Sequence, residues 1–221
     1  MTDIRLLHGD CLQIMKTFTD GEFDAIITDV PYGEANRNSN GLRNLDKGKA
    51  DVTTFKLLDF LKTIDRICSG SFYIFCGFQQ ISEIDNYFRN HDISRRCIVW
   101  EKTNPSPMNG KSIWLSGIEL CAYGKKSGAV FNGFCRNTVL RHPCGRNKLH
   151  PTQKDLNMIK DLIQVSTNKG DIVLDPCMGS GTTMEACYKT GRRGVGIEID
   201  KGSYDIACKR VAEAQMQPRL L

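Results

Sequence analysis

Four consecutive residues, Asp29-Val30-Pro31-Tyr32, combine a carboxylate, a turn stiffened by proline and an aromatic face. The residues before them, Asp24-Ala25-Ile26-Ile27-Thr28, have the pattern of a buried strand. The carboxylate is therefore expected at a strand's C-terminal end, where open α/β sheets bind their ligands. Such a set suits a demanding substrate, an amine whose lone pair is delocalised into an aromatic ring. If the Asp29 carboxylate and the Val30 carbonyl each accept one amine hydrogen, the nitrogen is drawn toward tetrahedral geometry. Its lone pair can then attack an electrophile held in line, with Asp29 receiving the developing positive charge. Pro31 stiffens the turn that presents the carbonyl. Tyr32 offers a face on which a base extruded from a duplex can stack. The inert alternative is a Pro-Tyr turn that closes a strand end.

A second constellation, Asp175-Pro176-Cys177-Met178-Gly179-Ser180-Gly181-Thr182-Thr183, follows an apolar strand and opens a helix. Its glycines let the backbone approach a ligand, and the free amides of the helix N-terminus favour an anionic group. A triphosphate loop would need lysine after the last glycine, but Gly181 is followed by Thr182. A dinucleotide loop needs a third glycine where Met184 stands. A carboxylate ligand serves instead. In Gly194-Val195-Gly196-Ile197-Glu198, an acid ends the next strand, where it can accept ribose hydroxyls. Together these features fit an adenosyl ligand with an amino-acid tail. A tight turn beside a surface glutamate is the alternative.

The elements that must position these residues alternate. Strands are expected at Ile4–Leu7, Asp24–Thr28, Ser71–Cys76, Arg96–Trp100, Ile118–Tyr123, Asp171–Leu174 and Gly194–Ile199. Helical spacing occurs at Leu12–Phe18, Thr54–Ile67, Gln79–Phe88, Lys154–Val165 and Thr182–Lys189, with a final helix after the last strand. This order predicts an α/β fold with a mostly parallel sheet covered on both faces. Residues 33–51, with four asparagines, three glycines and no apolar periodicity, predict a mobile loop beside the catalytic turn, placed to act as a lid.

At 221 residues the chain suits a single domain, 1–221. It carries no run apolar enough for a membrane span and no signal-peptide pattern at its start, so a cytoplasmic location is expected. Ten cysteines without a Cys-x-x-Cys pair are expected as reduced thiols. The cluster Cys135, His142, Cys144 and His150 matches no zinc spacing, so no metal is expected. Charge is uneven. Residues 101–150 hold eight basic residues, Lys102, Lys111, Lys125, Lys126, Arg136, Arg141, Arg146 and Lys148, against Glu101 and Glu119. This excess outweighs the net charge of +5. Lys111, Lys125, Lys126, Arg136, Arg141, Arg146 and Lys148 are accordingly candidates for binding DNA phosphates. A solvated basic face is the alternative reading.

The two motifs together resemble the amino-methyltransferases of DNA, whose loops are usually Asp-Pro-Pro-Tyr and Asp-Pro-Phe-x-Gly-Ser-Gly-Thr-Thr. His150-Pro151-Thr152-Gln153-Lys154, Trp100-x-Lys102-x-Asn104-x-x-Pro107 and His8-Gly9-Asp10-Cys11 resemble further segments of the same family. The catalytic loop precedes the cofactor loop, which is the circularly permuted motif order of the β group. The resemblance implies a Rossmann-like, seven-stranded sheet with one antiparallel strand, a DNA substrate and S-adenosylmethionine as cofactor. It also implies pairing as a homodimer. Implied cofactor residues are Asp10 and Cys11 at the adenine, Glu198 at the ribose, and Gly179, Ser180, Gly181, Thr182 and Thr183 at the methionine portion with Thr152 and Lys154. Asp29, Pro31, Asp175 and Pro176 line the same site. Residues 105–149 remain as a short, basic target-recognition region, which implies low selectivity or a very short recognition site.

Three positions depart from the family pattern. Val30 replaces a proline but keeps the carbonyl, Cys177 replaces a phenylalanine that contacts the cofactor, and Asp155 replaces a proline before a helix. An aspartate heading the catalytic loop resembles the adenine enzymes of the family more than the serine form does, which implies adenine N6 over cytosine N4, although either amine suits the same chemistry. Methylation of RNA or of a protein glutamine is a weaker alternative. A catalytically inactive nucleic-acid-binding subunit of the same fold is the reading from another class.

Overall fold

The alternating apolar patterns close into one eight-stranded sheet in a computed structural model, which describes residues 3–31, 55–107, 110–144 and 154–216. The chain runs β1 (Ile4–His8), α1 (Cys11–Met15), β2 (Phe23–Asp29), α2 (Leu57–Ile67), β3 (Cys68–Cys76), α3 (Phe78–Asn90), β4 (Ser94–Lys102) and β5 (Ile118–Lys125). It continues through β6 (Val139–His142), α4 (Leu156–Ser166), β7 (Ile172–Asp175), α5 (Thr182–Thr190), β8 (Arg193–Glu198) and α6 (Lys201–Met216). The strand order is β1-β8-β7-β2-β3-β5-β4-β6. Of these strands β5 alone runs against its neighbours. The expected seven strands and single antiparallel strand are present. The eighth, β6, is a four-residue edge strand parallel to β4, too short to register as a period.

Side chains alternate between two apolar cores. Ile26 of β2 joins Met15, Phe60, Ile64 and Phe88 on the face covered by α1 to α3. Ala25 and Ile27 join Met158, Ile163, Met184 and Ala207 on the face covered by α4 to α6. The strand's period of two breaks only where a register shift separates Phe23 from Ala25, which turns Phe23 toward the first core.

The topology decides where a ligand can bind. From β2 the chain crosses through α2 to β3, on one side of the sheet's centre; from β7 it crosses through α5 to β8, on the other side and over the opposite face. β2 and β7 are neighbours, so their carboxyl ends diverge around a crevice at a topological switch point. Asp29 ends β2, and Asp175 ends β7.

Candidate active site

Asp29 is anchored from across the sheet. The Nζ of Lys154 lies 2.8 Å from its Oδ2 and 2.7 Å from Oε2 of Glu119 on β5. Glu119 receives a second cation, Lys102 of β4, at 2.8 Å from Oε1. The side chain of Lys154 is only 10% exposed and lies against the rings of Phe75 and Trp100. Burial acts to discharge this ammonium, but the carboxylates of Asp29 and Glu119 more than reverse that effect, and its pKa lies above the usual lysine range. Burial likewise opposes ionisation of Glu119, yet Lys154 and Lys102 hold its carboxyl below the usual range. Four charges of alternating sign thus bridge β2, β5 and β4, with Asp29 at the crevice end.

The turn after Asp29 is held as firmly. The Val30 amide donates to the Phe75 carbonyl at 3.1 Å, and Val30 is buried. Gln80 in the first turn of α3 accepts from the Gly77 amide at 2.9 Å and donates through Nε2 to the Pro31 carbonyl at 3.0 Å. One side chain therefore caps a helix and fixes the turn after Asp29. Tyr32, Thr152 and the expected lid at 33–51 lie outside the described residues, as do Arg146 and Lys148.

Across the crevice, Glu198 organises the glycine loop. Its Oε2 accepts the Gly179 amide at 2.9 Å and its Oε1 the Asp200 amide at 2.8 Å. Each carboxylate oxygen retains a second lone pair for a ligand hydroxyl. Gly179 has φ of 51°, and a Cβ added there would meet nothing within 4 Å, so the loop faces open space at this point. Gly181, with φ of 79°, is needed for the opposite reason: a Cβ there would lie 2.9 Å from that of Ala207. This cradle fits a small ligand with a sugar and a carboxylate.

The neighbouring hydroxyls turn inward. Thr182 Oγ1 accepts from Nη1 of the buried Arg210 at 2.8 Å, and Arg210 also pairs with Glu185. Ser180 and Thr183 are buried as well, so the loop presents backbone rather than hydroxyls. Asp175 is buried, and loss of water pushes its pKa up to about 7. Thr183, the Cys177 amide and Thr28 act against that rise, and the Asp29 charge adds to it. Pro176 and Cys177 follow as the loop's first turn, with the Cys177 amide 3.2 Å from Asp175 Oδ1. At the β1 end, Asp10 caps α1 by accepting the Gln13 amide at 3.0 Å, while Gly9 donates to the Glu198 carbonyl at 2.9 Å. Asp10 and Cys11 are thereby brought beside Glu198.

The departure at Asp155 has a structural account. Its Oδ1 accepts the Met158 amide at 2.8 Å, which makes it the N-cap of α4, and lies 3.1 Å from His142 Nδ1. Trp100 and Asn104 also hold the framework together: the indole donates to the His142 carbonyl, and the Asn104 amide exchanges two hydrogen bonds with the Cys144 backbone. Among the described residues no group of three His, Cys, Asp or Glu side chains is arranged to hold a metal. No helix among them is long and apolar enough to cross a membrane.

The basic candidates do not all lie at the sheet edge that carries Asp29. β5 starts at the edge that carries Asp29 and runs to the opposite one, about 24 Å away at 3.4 Å per residue. Lys125 and Lys126 therefore emerge on the far side, where Lys126 pairs with Asp65 at 2.7 Å. Arg136 pairs with Asp161 on α4. Lys111, in the turn before β5, and Arg141, paired with Glu101 but largely exposed, stay at the edge that carries Asp29. Charge counting along the chain cannot see an antiparallel strand carry its end away.

Comparisons with known proteins bear on the family and the fold. Residues 109–209 match the family described as DNA methylase. The chain is similar to the solved structure of the M1.HpyAVI–SAM complex, at 32% identity and a TM-score of 0.74, over 94% of this chain and 99% of that one. It is 28% identical to the type II methyltransferase M.HinfI of Haemophilus influenzae, over 96% of this chain and 69% of that protein. The cytosine-N4-specific PvuII DNA methyltransferase, at 13% identity, shares the fold with a TM-score of 0.76 over all of this chain and 89% of that one.

Proposed function

The chain belongs to the amino-methyltransferases of DNA, and from that membership we propose that it methylates the N6 amine of adenine in DNA, using S-adenosylmethionine. The observation that carries this reading is the switch-point crevice. It sets the Asp29 carboxylate and the Gly179–Gly181 loop on the ends of adjacent strands.

In this reading Glu198 holds the ribose hydroxyls, Asp10 and Cys11 lie at the adenine, and the loop amides at the N-terminus of α5 receive the amino-acid carboxylate. The bound cofactor supplies a methyl group on a sulfonium. Asp29 and the Val30 carbonyl would accept the two amine hydrogens of the extruded base; Asp29 would stabilise the positive charge that develops on nitrogen as the methyl group parts from sulfur, and the nitrogen would then release one of its two protons. Lys154 orients Asp29 rather than gripping the cofactor, since its ammonium is already shared between Asp29 and Glu119. Lys111 and Arg141 approach the phosphates. The aspartate at the head of the loop favours adenine over cytosine.

The test is transfer of labelled methyl groups to unmethylated DNA, followed by nucleoside analysis. N6-methyladenine is the expected product. N4-methylcytosine as sole product would replace the base assignment, and label in RNA or protein alone would remove DNA as substrate. Cofactor affinity measured by calorimetry separates an enzyme from an inactive scaffold.

A further inference from the structure

The turn between β4 and β5 exposes a tryptophan at the catalytic edge. Trp114 is 96% exposed, flanked by Ile113 at 67% and Leu115 at 45%, whereas the chain's other tryptophan, Trp100, is buried. A solitary exposed leucine needs no explanation, but three consecutive large apolar residues at a loop tip do. The turn is braced. The Lys102 amide donates to the Gly117 carbonyl and the Gly117 amide to the Leu115 carbonyl, both at 2.8 Å, and the Gly110 amide donates to the Pro107 carbonyl at 3.1 Å. Leu115 folds back so closely on Gly110 that an added Cβ there would lie 2.8 Å from its Cδ2. The base of the turn is filled by Leu115, and the indole stands in solvent.

We infer that Trp114 is a wedge that enters the base stack of duplex DNA beside the base extruded toward Asp29. The inference rests on the DNA substrate proposed above. Position is the first argument. Asp29 ends β2, and the turn joins β4 to β5, which lie two to three strands away in the sheet. At about 4.8 Å per strand the lateral separation is about 10–15 Å, less than the width of a duplex. Charge is the second. No acid stands between Glu101 and Glu119, and the turn carries Lys111, so a polyanion can approach the indole without repulsion. Chemistry is the third. Extrusion of a base leaves a flat, apolar gap, and aromatic and aliphatic side chains are the groups that enter DNA steps in this way.

The test compares the wild type with Trp114→Ala and Trp114→Phe on one target sequence, presented as a duplex and as a single strand. Because Trp100 is buried, quenching of fluorescence by acrylamide reports on Trp114. Duplex DNA should protect it. Trp114→Ala should lose about tenfold or more of its transfer to the duplex, the scale of one aromatic stack. It should keep transfer to the single strand and affinity for S-adenosylmethionine, and Trp114→Phe should recover most of the loss. The slope of duplex affinity against salt should not change, because no phosphate contact is removed. Equal transfer by wild type and Trp114→Ala on the duplex overturns the wedge, as does an equal loss on both substrates. A wild type shielded from acrylamide without DNA, with the alanine variant changing from dimer to monomer, would give the surface to a second copy of the chain. If the wild type methylates no DNA, the proposed function falls first and the wedge with it.

Discussion

Lys154 Nζ stands 2.8 Å from Asp29 Oδ2, which ties this strand-end carboxylate to a buried cation rather than leaving it to solvent. The same ammonium lies 2.7 Å from Glu119, so the position of Asp29 depends on a strand two places away in the sheet. Asp29→Ala should retain cofactor affinity while transfer falls about a hundredfold or more, the scale of removing one group that stabilises a developing charge. Unchanged single-turnover transfer would refute the role given to Asp29.

Lys154→Met removes the cation that Asp29 and Glu119 share. Breaking a buried ion pair from one side costs about 3 kcal/mol or more. Thermal denaturation should show a lowered Tm, and transfer should fall even where the protein is fully folded. Glu119→Gln should lower kcat with little effect on cofactor affinity, because Glu119 touches Lys154 and Lys102 rather than the glycine loop. An unchanged kcat would show that Asp29 needs no support from β5.

Glu198→Gln leaves an amide where a carboxylate accepted both the Gly179 and Asp200 amides. One N–H then faces an NH2 group. At about 1.5–3 kcal/mol for a hydrogen bond to a charged group, S-adenosylmethionine affinity should drop roughly 10- to 100-fold. Calorimetry measures it directly, and wild-type affinity would remove Glu198 from the cofactor site.

The pKa of Asp175, raised to about 7 by burial, makes a prediction about pH. Its ordinary value is 3.8, so between these two values the folded chain binds a proton that the unfolded chain has released. Stability contributed by this group is therefore present below pH 4 and lost as pH rises through 7. Asp175→Asn, which stays neutral, should gain Tm relative to the wild type on going from pH 5 to pH 8. A constant difference across that range would mean that Asp175 does not titrate there.

The two sheet edges predict different salt behaviour for the basic residues. Arg141→Ala should reduce the slope of DNA affinity against salt by about one ion, whereas Lys125→Ala with Lys126→Ala should leave it unchanged. The reverse result would place DNA on the far edge.

The chemistry was legible wherever it was local. Asp29 to Pro31, Gly179 to Gly181 and Glu198 each sit at the end of an apolar run, and a strand end is recognisable from the residues around it. Glu119, Lys102, Gln80 and Arg210 were not assigned. Their partners are brought to them by strand pairing and helix crossing rather than by adjacent sequence. Glu119 did leave a faint signal as one of two acids in a basic stretch. Lys154 is expected at the cofactor's methionine portion, and its ammonium lies 2.8 Å from Asp29 Oδ2, a contact that adjacent sequence does not reveal.

The amino-acid sequence by itself determined the two loops, the residue types they offer and the class of fold. Each depends on residue type and short spacing: a proline stiffens a turn, a glycine permits positive φ, and a period of two or 3.6 selects strand or helix. The tertiary structure alone decided which loops face each other and which charges share a site. Periodicity says which side chains turn inward, but it does not say which strand lies beside which. The order β7-β2-β3-β5-β4 does that, setting Asp29 across a crevice from the glycine loop, bringing Lys154 and Glu119 to its back, and carrying Lys125 and Lys126 to the far edge.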